Sequence, residues 1–243
     1  MTDRPILFSA PMVRALRDGR KTQTRRMLKL PPAPDHLGEW QASTIGGPGV
    51  YDDQGRETPE FPCVWHTRNG ATVVPRFATG DRLWVKETWR IAPDACEGWP
   101  PDAVPCPGWV DYRAGGNAEV RAPSFSHVLD AFGKKSEVDW DCLPDRWRPS
   151  LFMTRWASRL TLTVTEVRIE RLQACSEEDA VAEGLEWVAP GKWSVDRALP
   201  IIGDDPRRVY AELWDHINGE GAWQANPWVV AVSFDVREGN IDG

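Results

Sequence analysis

Few cysteines, few histidines, few tyrosines and no net positive charge leave this 243-residue sequence little material for several common chemistries. The five cysteines, at 63, 96, 106, 142 and 175, are odd in number and irregular in spacing. That excludes the disulfide framework of a small secreted domain and points to a reducing cytoplasm. The four histidines, at 36, 66, 127 and 216, show no pairing or metal spacing. Cys63-x-x-His66 taken with Cys96 and Cys106 fits no common zinc template. No run approaches the roughly eighteen apolar residues of a membrane span, and the N-terminus lacks the apolar core of a secretory signal. There is no G-x-S-x-G elbow for a nucleophilic serine. Gly46-Gly47-Pro48-Gly49 lacks the Gly-Lys-Ser/Thr ending and the preceding strand of a phosphate loop. A net charge of -7 argues against a general DNA coat, although a local basic patch attracts phosphate even on an acidic chain. No metal and no cofactor is expected.

What remains is an ordinary globular composition, 41% hydrophobic and 27% charged, with enough residues for one large domain or two small ones. Fourteen tryptophans stand out. Their default role is packing, with one or two available as stacking platforms for a base.

Along the chain, Pro5-Ile6-Leu7-Phe8 reads as an edge strand. Met12, Ala15 and Leu16 fall at helical spacing within 11–18, and Gly19 sits where a left-handed cap stops the helix. A basic strand follows. Residues 31–76, rich in Pro and Gly, read as an insertion with little regular structure. Gly80-Asp81 is a turn into a strand, Arg82 to Trp89, with Leu83 and Val85 on one face and Trp84, Lys86 and Thr88 on the other. A second insertion covers 92–147, with one helical turn at Ser126 to Phe132. Leu160 to Leu172 is the clearest strand. Ser176 and Asp179 form a capping box for a helix that runs to Glu183 and stops at Gly184. A third insertion covers 186–204. Asp205-Pro206 opens a helix with Val209, Leu213 and Ile217 on one side, and Trp228 to Val236 is a closing strand. The pattern predicts one α+β domain over 1–243 around a small curved or closed sheet.

The organising stretch is Gly19-Arg20-Lys21-Thr22-Gln23-Thr24-Arg25-Arg26, which with Arg17 and Lys29 makes a local positive field. It resembles the signature of the ASCH domain, a PUA-like family linked to RNA and modified nucleosides. Further blocks are similar to the family's in the same order: Thr79 to Val85, Leu160 to Leu172, Ser176 to Gly184 and Asn226 to Phe234, together about half of the chain. The resemblance implies a small mixed or antiparallel β-barrel with short flanking helices and long loop insertions. In the branch that hydrolyses N(4)-acetylcytidine it implies a catalytic Lys, Thr and Glu, which match Lys21, Thr24 and Glu183 here. The larger members it resembles are phage and prophage proteins. This chain is about twice the length of the minimal family.

That trio makes chemical sense. A threonine hydroxyl is a poor nucleophile until a base takes its proton. Lysine serves as base only with a lowered pKa, toward which burial and the neighbouring Arg20, Arg25 and Arg26 push it. A carboxylate in the last turn of a helix faces the negative end of the dipole. In a regular strand, positions 21 and 24 point to opposite faces, so the trio needs a turn or bulge near Thr22. Two functions follow. One is an amide hydrolase for an acylated nucleoside or base, with backbone amides near the Gly19 turn stabilising the oxyanion. The other is a binding module for single-stranded nucleic acid or a modified base, possessing ribonuclease activity in some relatives, with Arg20, Arg25 and Arg26 on phosphate and Trp84, Trp89 or Trp228 stacking. Asp81 and Glu87 near Glu183 are the weaker alternative of a divalent-ion site, since Gly80-Asp81 is explained by its turn.

Overall fold

The computed structural model describes residues 1–32, 38–91, 106–122, 147–196 and 199–243. The chain is α+β and mostly strands, and its sheets are not closed into a barrel. A five-stranded sheet runs in the order β1 (Asp3–Leu7), β6 (Arg82–Lys86), β10 (Leu160–Arg171), β14 (Trp228–Glu238) and β2 (Gln23–Met27). The chain packs as two compact units, each assembled from separate stretches of sequence.

The first unit comprises Met1, 20–81 and 164–235. Here β2 lies antiparallel to β14, with Arg25 opposite Ala231 and Thr24 opposite Val232. Two three-stranded antiparallel sheets belong to this unit. One is β3 (Trp40–Ile45), β4 (Phe61–His66) and β5 (Thr72–Val73); the other is β11 (Glu186–Ala189), β12 (Lys192–Asp196) and β13 (Leu199–Gly203). The stretches 31–76 and 186–204 therefore carry regular structure, contrary to the irregular loops expected. Turns at Gly46-Gly47, Gly55, Gly70 and Pro190-Gly191 separate the short strands, and β3 is almost wholly exposed, so it shows no apolar alternation.

Two helices pack in the same unit. Helix α2 (Glu177–Ala182) starts at the Ser176–Asp179 capping box and ends with Glu183 as its C-cap, after which Gly184 turns away at φ 105°. Helix α3 (Pro206–Asn218) is capped by the Asp205 carboxylate, which accepts from the amides of Arg207 and Arg208. It buries Val209, Tyr210, Leu213 and Trp214 against Leu172, Leu185, Val195 and Val229. The buried stripe is thus shifted from the one expected: Ile217, in the last turn, is 54% exposed.

The second unit comprises 2–19, 82–163 and 236–243. Helix α1 (Ala10–Arg17) ends as read from Gly19, whose φ is 71°. β1 runs parallel to β6, and β6 antiparallel to the start of β10. β7 (Trp89–Ile91), β8 (Cys106–Tyr112) and β9 (Asn117–Ala122) form an antiparallel sheet. A buried Arg159–Glu87 pair, 2.8 Å, ties the end of β6 to the entry of β10. The helical turn expected at 126–132 lies outside the described residues.

Candidate active site

The segment before β2 is held by main-chain bonds on both sides. Lys21 forms an isolated antiparallel bridge with Glu183. The Thr22 amide donates to Ala182 O at 2.9 Å, and the Phe234 amide donates to Thr22 O at 2.9 Å. Because the capping box and Gly184 fix both ends of α2, Glu183 is delivered beside Lys21 by backbone geometry alone. The side chains complete the pair. Lys21 Nζ donates to Glu183 Oε2 at 2.7 Å and to its carbonyl oxygen at 2.8 Å. The other carboxylate oxygen, Oε1, accepts from the Tyr210 hydroxyl at 3.2 Å and from Arg25 Nη1 at 3.5 Å. Lys21 is wholly buried and Glu183 only 7% exposed.

Arg25 is the hub of the surrounding charges. Its guanidinium reaches Glu170 at 2.8 Å and Asp179 at 2.7 Å, and its Nη1 donates to Gln23 Oε1 at 2.6 Å. Gln23 Nε2 in turn donates to Asp179 Oδ1 at 3.0 Å, which also accepts from Arg168 at 2.8 Å. Gln23 and Arg25 are two apart in β2 and so share a face. Thr24 lies between them on the opposite face, buried. Among the described residues, no hydrogen bond engages its hydroxyl, and the contacts around Lys21 bring Glu183 to it rather than Thr24.

Burial lowers the Lys21 pKa below its ordinary 10.5; Glu183 opposes this, and Arg26 and Arg25 reinforce it. Burial alone would raise Asp179, but Arg25 and Arg168 overcome it and hold the carboxyl below its ordinary 3.8. Burial pushes the Cys175 thiol up to about 12, so that cysteine is no nucleophile at neutral pH. Burial, with Glu183 beside it, raises the Tyr210 hydroxyl well above 10, keeping it a proton donor.

The Lys21 shift has a thermodynamic signature. Between its folded value and 10.5 the unfolded chain binds more protons than the folded one, so stability rises with pH. The contribution is complete above 10.5 and lost as pH falls through the folded value. Tyr210 and Tyr112, both raised mainly by burial, act oppositely above pH 10. Lys21→Met is therefore expected to flatten the rise in stability as pH approaches 10.5 from below. Urea unfolding at several pH values checks it, and equal slopes in both proteins would contradict the lowered lysine.

The remaining expected residues separate. Arg20 donates to Gly184 O at 2.7 Å, closing the C-terminal end of α2. Arg26 is half-buried and within electrostatic reach of Lys21. Arg25 was expected on phosphate; it is 3% exposed and already surrounded by carboxylates. Arg17, in the second unit, pairs with Glu238 at 3.1 Å. The basic run is thus no single open face: Arg17, Arg20, Lys21 and Arg25 each meet a partner the linear sequence does not reveal. Trp89 is fully buried, edge-on to Trp156 at 5.8 Å, and offers no ring face to a base. Trp84, also in the second unit, is half-buried with the Lys86 ammonium 5.3 Å from its ring. Trp228, in the first unit, is half-buried under the Arg171 guanidinium at 4.5 Å. The Gly19 amide, expected near an oxyanion, donates to Leu16 O at 3.1 Å.

Sequence reading missed Tyr210, Gln23, Glu170 and Asp179 as neighbours of the pair. Tyr210 carried a usable signal, being the hydroxyl within the apolar stripe of α3. Among the described residues no cluster of histidine, cysteine and carboxylate side chains could hold a metal ion, and no helix is long and apolar enough to cross a membrane. Compared with protein-family models, with curated proteins and with solved structures, the chain finds no match.

Proposed function

We propose that this chain is an amide hydrolase acting on an acylated nucleoside or base of the N(4)-acylcytidine kind, built on a PUA-like frame of which the five-stranded mixed sheet would be the core. The observation that carries this reading is the buried Lys21–Glu183 contact at 2.7 Å. It joins a lysine of lowered pKa to a carboxylate held at both oxygens, three residues before a threonine whose hydroxyl no described residue engages. In the proposed reaction neutral Lys21 takes the Thr24 proton as Oγ1 attacks the acyl carbon. The ammonium so formed returns that proton to the departing exocyclic nitrogen. Water then cleaves the threonyl ester, with Lys21 again as base. Glu183 keeps Lys21 in place and balances its charge while it is an ammonium. Lys21 is sealed and Thr24 faces the other side of β2, so the reaction needs β2 and the end of α2 to part and the Lys21–Thr24 segment to turn, bringing Oγ1 to Nζ as the acyl group enters.

The test is incubation of the protein with a panel of acylated cytidines and with short RNA, followed by mass spectrometry. Loss of the acyl mass from a nucleoside is the expected result. Binding without consumption of any substrate would instead favour a reader of single-stranded nucleic acid or a modified base.

A further inference from the structure

The Glu183 carboxylate is shared between two kinds of partner. Oε2 faces Lys21, while Oε1 faces the Tyr210 hydroxyl at 3.2 Å and Arg25 at 3.5 Å. Tyr210 is 3% exposed and comes from α3, far along the chain, within a stripe otherwise composed of Val209, Leu213 and Trp214. A packing role alone does not require a hydroxyl in that stripe, since a phenyl ring fills the same space. The hydroxyl is spent on one oxygen of the carboxylate that governs Lys21.

We infer that Tyr210 is a positioning residue that sets the protonation of Lys21 by hydrogen-bonding Glu183. A neutral donor on Oε1 draws negative charge away from Oε2 and fixes the carboxylate's rotation. Less charge on Oε2 weakens its hold on the ammonium, so Lys21 gives up its proton at lower pH. The groups around the pair are Arg25 and Arg26 from β2, Glu170 from β10, Cys175 just ahead of α2, Asp179 in its first turn, and Tyr210 from α3. Arg25 is committed mainly to Glu170 and Asp179, which leaves Tyr210 as the closer donor to Oε1. The kinetic consequence rests on the hydrolase reading; the titration does not.

The test follows the ε-carbon signals of protein labelled with carbon-13 lysine as pH is raised. The lysines are few, at 21, 29, 86, 134, 135 and 192, and the signal lost in Lys21→Met identifies the one of interest. Tyr210→Phe is expected to raise the Lys21 midpoint by about half a unit to one unit. Incorporation of 3-fluorotyrosine, whose hydroxyl is a stronger donor of nearly the same size, is expected to lower it, and serves also if the phenylalanine variant does not fold. Its other sites are Tyr51, 63% exposed, and Tyr112, in the second unit. A Lys21 signal that is the same with tyrosine and fluorotyrosine, or that moves the wrong way, overturns the inference. If the midpoint shifts but no acylated nucleoside is cleaved, the role of Tyr210 stands and the hydrolase reading falls. If cleavage occurs with the midpoint unmoved, the inference alone falls.

Discussion

Thr24→Val is expected to lose hydrolysis of any acyl nucleoside that the wild type cleaves, by on the order of a thousand-fold or more, while substrate binding persists. Valine keeps the shape of threonine and the strand position opposite Val232, so stability should change little. Lys21→Met should lose a comparable amount. Because base and nucleophile act in one step, the double variant should lose scarcely more than the worse single. Thr24→Ser keeps a hydroxyl and should retain part of the rate. Glu183→Gln has a signed effect. Glu183 is the group that raises Lys21 against burial, so removing its charge should move the rising limb of the pH–rate profile to lower pH even as the rate falls. Steady-state rates across pH read all of these. Thr24→Val turning over at the wild-type rate would sink the threonine mechanism.

Arg25→Met is expected to cost about 3–5 kcal/mol of stability, because it strips the shared cation from Glu170, Asp179 and Glu183. With a urea slope of about 1–3 kcal/mol/M this moves the unfolding midpoint down by roughly 1–5 M. The loss carries a pH dependence of known sign. In the wild type the depressed Asp179 contributes stability that is complete above its ordinary 3.8 and lost as pH falls through the folded value. Without Arg25 that contribution shrinks, so the two stability curves should converge in acid. An Arg25 that served as an open phosphate contact would behave differently. Its replacement would leave stability within about 0.5 kcal/mol and instead lower the salt dependence of oligonucleotide binding.

Local signals determined much of this protein. The stop of α1 at Gly19 needs only a residue that accepts positive φ, and the capping box of α2 needs only Ser176 and Asp179 three apart. The same holds for Asp205-Pro206 at the head of α3, and for β10, whose alternation from Leu160 to Val164 spans enough residues to be unambiguous. The Lys21–Glu183 pairing came from resemblance to a family. No periodicity links two residues so far apart in sequence.

The tertiary structure decided where charge and aromatic rings face. A run such as Gln23-Thr24-Arg25-Arg26 looks alike whether it lines a surface or an interior, because an arginine is buried only when partners from other elements meet it. Those partners, Glu170 in β10 and Asp179 in α2, lie some 150 residues further along the chain. The fate of Trp84 and Trp89 was likewise undetermined locally: the two residues differ in what packs over them, and only Trp89 is sealed beneath Trp156. The strands within 31–76 and 186–204 are short, and β3 and β11 are largely exposed, so their pairing to β4 and β12 arises from hydrogen bonds that leave little mark in the hydropathy pattern. Tyr210 follows the same logic. Its place in the stripe of α3 could be read from helical spacing, but its hydroxyl acquires a role only once α2 sets Glu183 Oε1 3.2 Å away.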